Sequence, residues 1–229
     1  EIYRDQPQLR TAYALESVAD ELSFIVGPPI SVGLSVALFP QAAPLAAALL
    51  LAVGVTAFVL QRATAPAVQV RQAGREASVL RMPPMQSLVA MMSAMGVIVG
   101  TIDVLSVAFA RAQGVPAGAS LILSAYALGS CVAGLIFGVL KFQMPLARML
   151  SIAAAVTAFT TLPLLLVNDL ITLSLGVLLA GLSFAPTMII AMALVESSVP
   201  GQRLTEGLTW LVTGLGAGVA AGAATPAPN

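Results

Sequence analysis

The chain has 229 residues, 59% of them hydrophobic and 9% charged, with ten basic residues balancing ten acidic ones. A mean hydropathy of +0.98 means far more apolar side chain than a water-soluble domain of this length can cover, so the chain belongs in a bilayer. Balanced charge excludes the basic surface of a nucleic-acid partner; one cysteine, Cys131, excludes a disulfide framework or cysteine metal site; and the absence of histidine removes the commonest metal ligand and general base, leaving no metal or cofactor expected.

Seven apolar runs follow in chain order: residues 23–39, 44–60, 87–110, 117–140, 146–167, 170–195 and 207–224. Each reaches or approaches the roughly 20 residues that span a bilayer, which predicts an all-α polytopic membrane protein with about seven transmembrane helices. The first helix starts earlier than its apolar run, because Leu15, Val18, Ala19 and Leu22 keep helical spacing while Glu16 and Asp20 share another face. Between the second and third runs lies "QRATAPAVQVRQAGREASVLRMPPMQ", basic and interrupted by Pro66, Pro83 and Pro84, which reads as a linker over residues 61–86. If the segment before the first run is cytosolic, Arg4, Arg10, Arg62, Arg71, Arg75, Arg81, Lys141, Arg148 and Arg203 share that side and only Arg111 lies outside. Nine of ten basic residues on one face is a positive-inside pattern and places the protein in the inner or plasma membrane. The chain opens on Glu1 and closes on "TPAPN" just after a helix, with two runs before the linker and five after it. That lopsidedness suggests a fragment.

Three stretches carry a family likeness: "RTAYALESVADELSFIVGPPISVGL", "GTIDVLSVAFARAQGVPAGASLILSAYALGSCVAGLIFG" and "APTMIIAMALVESSVPGQRLTEGLTWLVTGLGAGVAAG". They resemble helix five, helices seven and eight, and helices ten and eleven of the major facilitator superfamily, closest to its bacterial efflux-type members. The resemblance implies a twelve-helix transporter of two six-helix bundles. Residues 1–60 would end the N-terminal bundle, 61–86 would be the cytosolic linker, and 87–229 would form most of the C-terminal bundle. Two stretches depart from the family pattern. Gly27-Pro28 is followed by Pro29, Ile30, Ser31, Val32 and one Gly33 where an antiporter signature has a glycine pair, and Gly138 stands where the loop after helix eight would carry an acid. "ELSFIVGPP" also aligns with "EGLTWLVTGLG" once single-residue gaps are allowed, pairing Glu21 with Glu206, Phe24 with Trp210 and Gly27 with Gly214. A parallel repeat would place helices five and eleven equivalently in the two halves.

Asp103 lies seven residues from the outer end of the third run, roughly 10 Å along a helix. A carboxylate there is costly against lipid, so it faces the bundle or a water-filled cavity. One reading makes it a proton carrier, since burial favours the protonated form and brings release near neutral pH. The other makes it a structural acid bonded to Thr101, Ser106 or nearby backbone. If the family likeness holds, Tyr126, Ser124, Ser130, Thr187 and Trp210 lie on cavity-lining helices as substrate candidates, with interhelical packing as the alternative. Ser130, Gly134 and Gly138, and Gly214, Gly218 and Gly222, repeat at four-residue spacing and predict close helix contacts. Asp20, Glu21 and Glu206 begin helices on the cytosolic side, where the positive dipole end stabilises acids and Thr205 offers an N-cap. A cytosolic gate would pair these acids with Arg148 or Arg203. Pro28, Pro29, Pro163 and Pro186 predict bends.

The loop charges, the linker, the repeat and the family resemblance point to a secondary active transporter, not an enzyme, and the resemblance implies that it works by alternating access. Its partners are the lipid bilayer, a small-molecule solute and protons. Few charges in the spans suit a neutral or lipophilic solute, a drug or sugar, exported against an ion gradient. The alternatives are a seven-helix receptor, whose retinal form would need a lysine in the last helix where none stands, and an intramembrane enzyme.

Overall fold

The computed structural model describes residues 8–62, 78–140 and 144–224, with side chains from Leu22 onward except those of Phe24 and Val139. Among the described residues, eight α-helices run in order: α1 Gln8–Ala37, α2 Ala42–Leu60, α3 Pro83–Ala112, α4 Gly118–Val139, α5 Leu146–Thr161, α6 Leu170–Gly181, α7 Phe184–Ser198 and α8 Leu204–Ala223. No strand occurs among the described residues. Five stretches among the described residues are long and apolar enough to cross a membrane: Ala42–Leu60, Pro83–Ala112, Gly118–Gly138, Leu146–Leu166 and Leu170–Ser198. The expected first and last spans differ from these. In α1 the apolar part is the shorter Ile25–Ala37. α8 trades apolar bulk for glycine, at positions 207, 214, 216, 218 and 222.

Prolines and caps explain the boundaries. Pro83 and Pro84 open α3, where a missing N–H is harmless. Gly114, at φ 72°, closes it. A side chain would be strained in that left-handed turn, in which Gly114 N–H bonds Arg111 O and Val115 N–H bonds Ala110 O. Pro163 cannot donate to the preceding turn, and α5 gives way to a 3₁₀ turn over Leu162–Leu166. Asp169 then caps α6, accepting from Thr172 N at 2.7 Å in a reciprocal capping box. The sixth run, continuous in apolarity, is two helices. Leu182 and Ser183 form the turn between them, and Pro186, in the first turn of α7, leaves the Leu182 carbonyl without its helical donor. α1 runs through Pro28 and Pro29.

The chain divides into two units, Glu1–Glu76 and Ala77–Asn229. The first holds the α1–α2 hairpin. In the second, α3 and α8 pack side by side along their lengths. A Cβ built on Gly96 would land on the Leu215 carbonyl oxygen, one on Gly100 on that of Val219, one on Gly218 on that of Ser93, and one on Gly222 on that of Val97. Contacts that advance together along both helices make the pair parallel, and only glycine lets two backbones come this close. α4 and α6 form a second parallel pair, with Gly118 against Leu170 at their starts and, further along both, Gly129 against the Leu178 carbonyl and Gly181 against that of Tyr126. Of the predicted stripes, Gly214, Gly218 and Gly222 all meet α3. On α4, Gly134 meets Ala185 and Ser130 is buried, but Gly138 faces open space.

Candidate functional site

Helix directions sort the charges of the second unit. Gly207, at the start of α8, packs against Val195 and Val199 at the end of α7. Met149 and Leu150, near the start of α5, pack with Ile190 and Leu194 of α7. The beginnings of α3, α5 and α8 therefore lie at one end with Arg81, Arg148 and Arg203, and Arg111 lies at the other, in the last turn of α3.

At the arginine end a carboxylate draws three segments together. The 3₁₀ turn Val79–Arg81 is buried at Val79, against Met85, Leu88, Met92, Val195 and Leu211. Glu206 Oε1 accepts from Ser78 Oγ at 2.8 Å and from Val79 N at 3.1 Å, while Arg203 Nη2 donates to Oε2 at 2.8 Å. Hydrogen bonds from Ser78, then from Arg203, hold the Glu206 carboxyl below its ordinary range. Of the two arginines expected as partners, Arg203 is the one bonded to Glu206, within one helical turn; Arg148 is exposed and makes no ion pair among the described residues. Thr205 does not cap α8. The helix begins a residue earlier, at Leu204, fed by a 3₁₀ turn over Gly201–Arg203, so Thr205 already lies inside it. Ser78 was not foreseen as a partner, although its place before a short apolar turn is an N-cap signal, and it does accept from Leu80 N at 3.3 Å. The side chains of Asp20 and Glu21, on α1, lie outside those described.

Deeper in the bundle, Asp103 is partly buried on α3, one turn beyond Gly100, the last glycine of that helix to meet α8. The hydroxyls considered as its partners are engaged elsewhere, Thr101 Oγ1 with Val97 O at 2.8 Å and Ser106 Oγ with Ile102 O at 2.6 Å. No described side chain donates to Asp103. Tyr126 packs near the cluster of Ile102, Ile122 and Val177, its ring edge-on to Phe184 with centroids 6.0 Å apart. Thr187 is fully buried and donates to Ser183 O at 2.6 Å. Trp210 is half-buried against the cluster around Met92 and Leu211. The structure thus spreads the predicted residues over two levels: Glu206 and Arg203 together at one end, and, further in, Asp103 just past the α3–α8 glycine contact and Tyr126 beside the α3–α4–α6 core. Gly96, Gly100, Gly129 and Gly181, which bring the helices together, were missed, although the first two carry the same four-residue spacing as the stripe that was seen.

The family model of the Major Facilitator Superfamily matches residues 3–223. The chain belongs to that superfamily. Its members are secondary transporters of small solutes, multi-pass in the bilayer, and the paired parallel helices described above are the packing such a helical bundle needs. Comparison with curated proteins and with solved structures returned no match.

Proposed function

We propose that the protein is an efflux-type transporter of the plasma or inner membrane that exports a small neutral or lipophilic solute, a drug or a sugar, by alternating access coupled to protons. The observation that carries this reading is Asp103, a partly buried carboxylate within a membrane-spanning helix, with no described side chain bonded to it. An ionisable group at that depth is costly and marks an ion or substrate path by default. Its position just past the α3–α8 glycine contact leaves it beside a rigid seam, where a change in charge can bias how the helices meet.

Helices α1 to α8 would then correspond to helices five to eleven of the family fold, with α6 and α7 together making helix ten. Residues 1–60 would close one bundle, 61–86 would link, and 87–229 would form most of the other. The end bearing Arg81, Arg148 and Arg203 faces the cytosol. There the Ser78–Glu206–Arg203 cluster is the inner gate on this half, with Asp20 and Glu21 its counterparts on α1. Tyr126 and Trp210 are the aromatic surfaces offered to solute, whereas the enclosed, self-bonded Thr187 serves packing.

The test is flux. Reconstituted in vesicles, the full-length protein should move solute in response to an imposed pH gradient, and Asp103→Asn should abolish the response while preserving exchange down a solute gradient. Coupling that survives in Asp103→Asn would remove Asp103 from the mechanism, and flux indifferent to the pH gradient would remove protons from it.

A further inference from the structure

Between α5 and α7, closed at one side by Phe137 of α4, lies a groove of about 200 Å³ lined by Met149, Ile152, Val156, Pro186 and Ile190. The hydroxyl of Ser183 at its floor is spent on Ala180 O at 2.9 Å, so no free polar group faces in. Ile152 and Val156 are 46% and 43% exposed, so the groove opens sideways, within the span Leu146–Leu166. At that height an apolar opening faces hydrocarbon.

Charge distinguishes this groove from an ordinary gap between helices. Arg148 lies in the first turn of α5, at the end of the span, and shares a helix face with Ile152 and Val156 four and eight residues on. It is exposed and has no acidic partner among the described residues. Glu196, the acid at that end of α7, follows Ile190 by six residues, which turns it roughly a third of a turn off the groove face. A guanidinium with no acidic partner among the described residues, on the helix that lines an apolar cleft and at the level where the hydrocarbon ends, matches an acyl chain with a negative head group above it, and a zwitterionic lipid would waste the charge.

We propose that this groove seats an anionic phospholipid of the surrounding bilayer, its chain along Ile152 and Val156 and its phosphate on Arg148. The proposal rests on the chain being embedded in a membrane and is independent of proton coupling, so flux assays and the experiment below can fail separately.

The experiment places one tryptophan at the groove, as Ile152→Trp, in the full-length protein with its other tryptophans replaced by phenylalanine. Quenching is then compared between vesicles of brominated phosphatidylglycerol and brominated phosphatidylcholine. A preference for phosphatidylglycerol of about fivefold is expected from one cation near the surface. Arg148→Gln should reduce it to about one, and Arg148→Lys should retain it, which separates lost charge from misfolding. Equal quenching by the two lipids in the Arg148 protein, or a preference that survives Arg148→Gln, overturns the proposal. Absence of quenching by either lipid also overturns it, since the groove would then be covered by protein.

Discussion

Helices α2 and α3 are both apolar enough to cross a bilayer, with mean hydropathies of 2.4 and 2.0 over their best windows, yet neighbouring helices bury a third of the α3 window and none of that of α2. On α2, Leu49, Leu50, Leu51, Phe58 and Val59 are all exposed, and a Cβ on its one glycine, Gly54, would meet nothing. On α3, Met85, Leu88 and Met92 are buried, and Gly96 and Gly100 rest on the backbone of α8. Lipid tails are as apolar as leucine, so hydropathy decides whether a helix enters the bilayer, and small residues decide which neighbour it presses against.

That contrast breaks first at glycine. Gly218→Leu forces a side chain into the Ser93 carbonyl and should destabilise the protein by about 3 kcal/mol, seen as a lower melting temperature and loss of a monodisperse peak in detergent. Gly54→Leu should be neutral or slightly stabilising, since the site is open and leucine favours helix by about 0.8 kcal/mol over glycine. Equal damage from the two substitutions would mean that the α3–α8 contact is no tighter than the surface of α2.

A smaller effect sharpens the picture at the arginine end of the same pair. Ser78→Ala removes the shortest hydrogen bond to Glu206 and should cost about 1 kcal/mol, measured as a fall in melting temperature near neutral pH. The Glu206 carboxyl is held low in the folded protein, so its contribution is complete above its ordinary value of 4.5 and is lost as pH falls below that, through the lowered folded value. The gap between Ser78→Ala and the parent should therefore narrow in acid. A gap that stayed constant down to pH 3 would show that Ser78 acts through its cap on Leu80 instead.

Much of this was legible in the letters alone. Seven apolar runs marked the helical segments because spanning length is set by bilayer thickness, which composition reports directly. The stripe of Gly214, Gly218 and Gly222 announced a close contact. Its mates at Gly96 and Gly100 carried the same spacing, and only the three-dimensional register of two parallel helices joins the two sets. The break at Leu182 and Ser183 left no trace in hydropathy because both sides of it are apolar, and Pro186 sits just past it, inside the next helix. Glu206 was visible as an acid at a helix start, but its partner Ser78 lies 128 residues away in sequence, at the end of a segment that reads as linker. Asp103 was conspicuous because charge amid apolar residues is rare. The engagement of Thr101 and Ser106 with their own helix depends on rotamers that sequence does not specify.

The parallel α3–α8 pair anchors the rest, because it fixes which helix ends share a side. With Cys131 replaced by serine, cysteines at Ser78 and Glu206 should be joined in the membrane by a short bifunctional thiol reagent, detected by mass spectrometry of the non-reduced digest. Cysteines at Ser78 and the exposed Ala221 should not be joined. Cross-linking of Ser78 to Ala221 and not to Glu206 would reverse α8 against α3 and contradict the parallel seam.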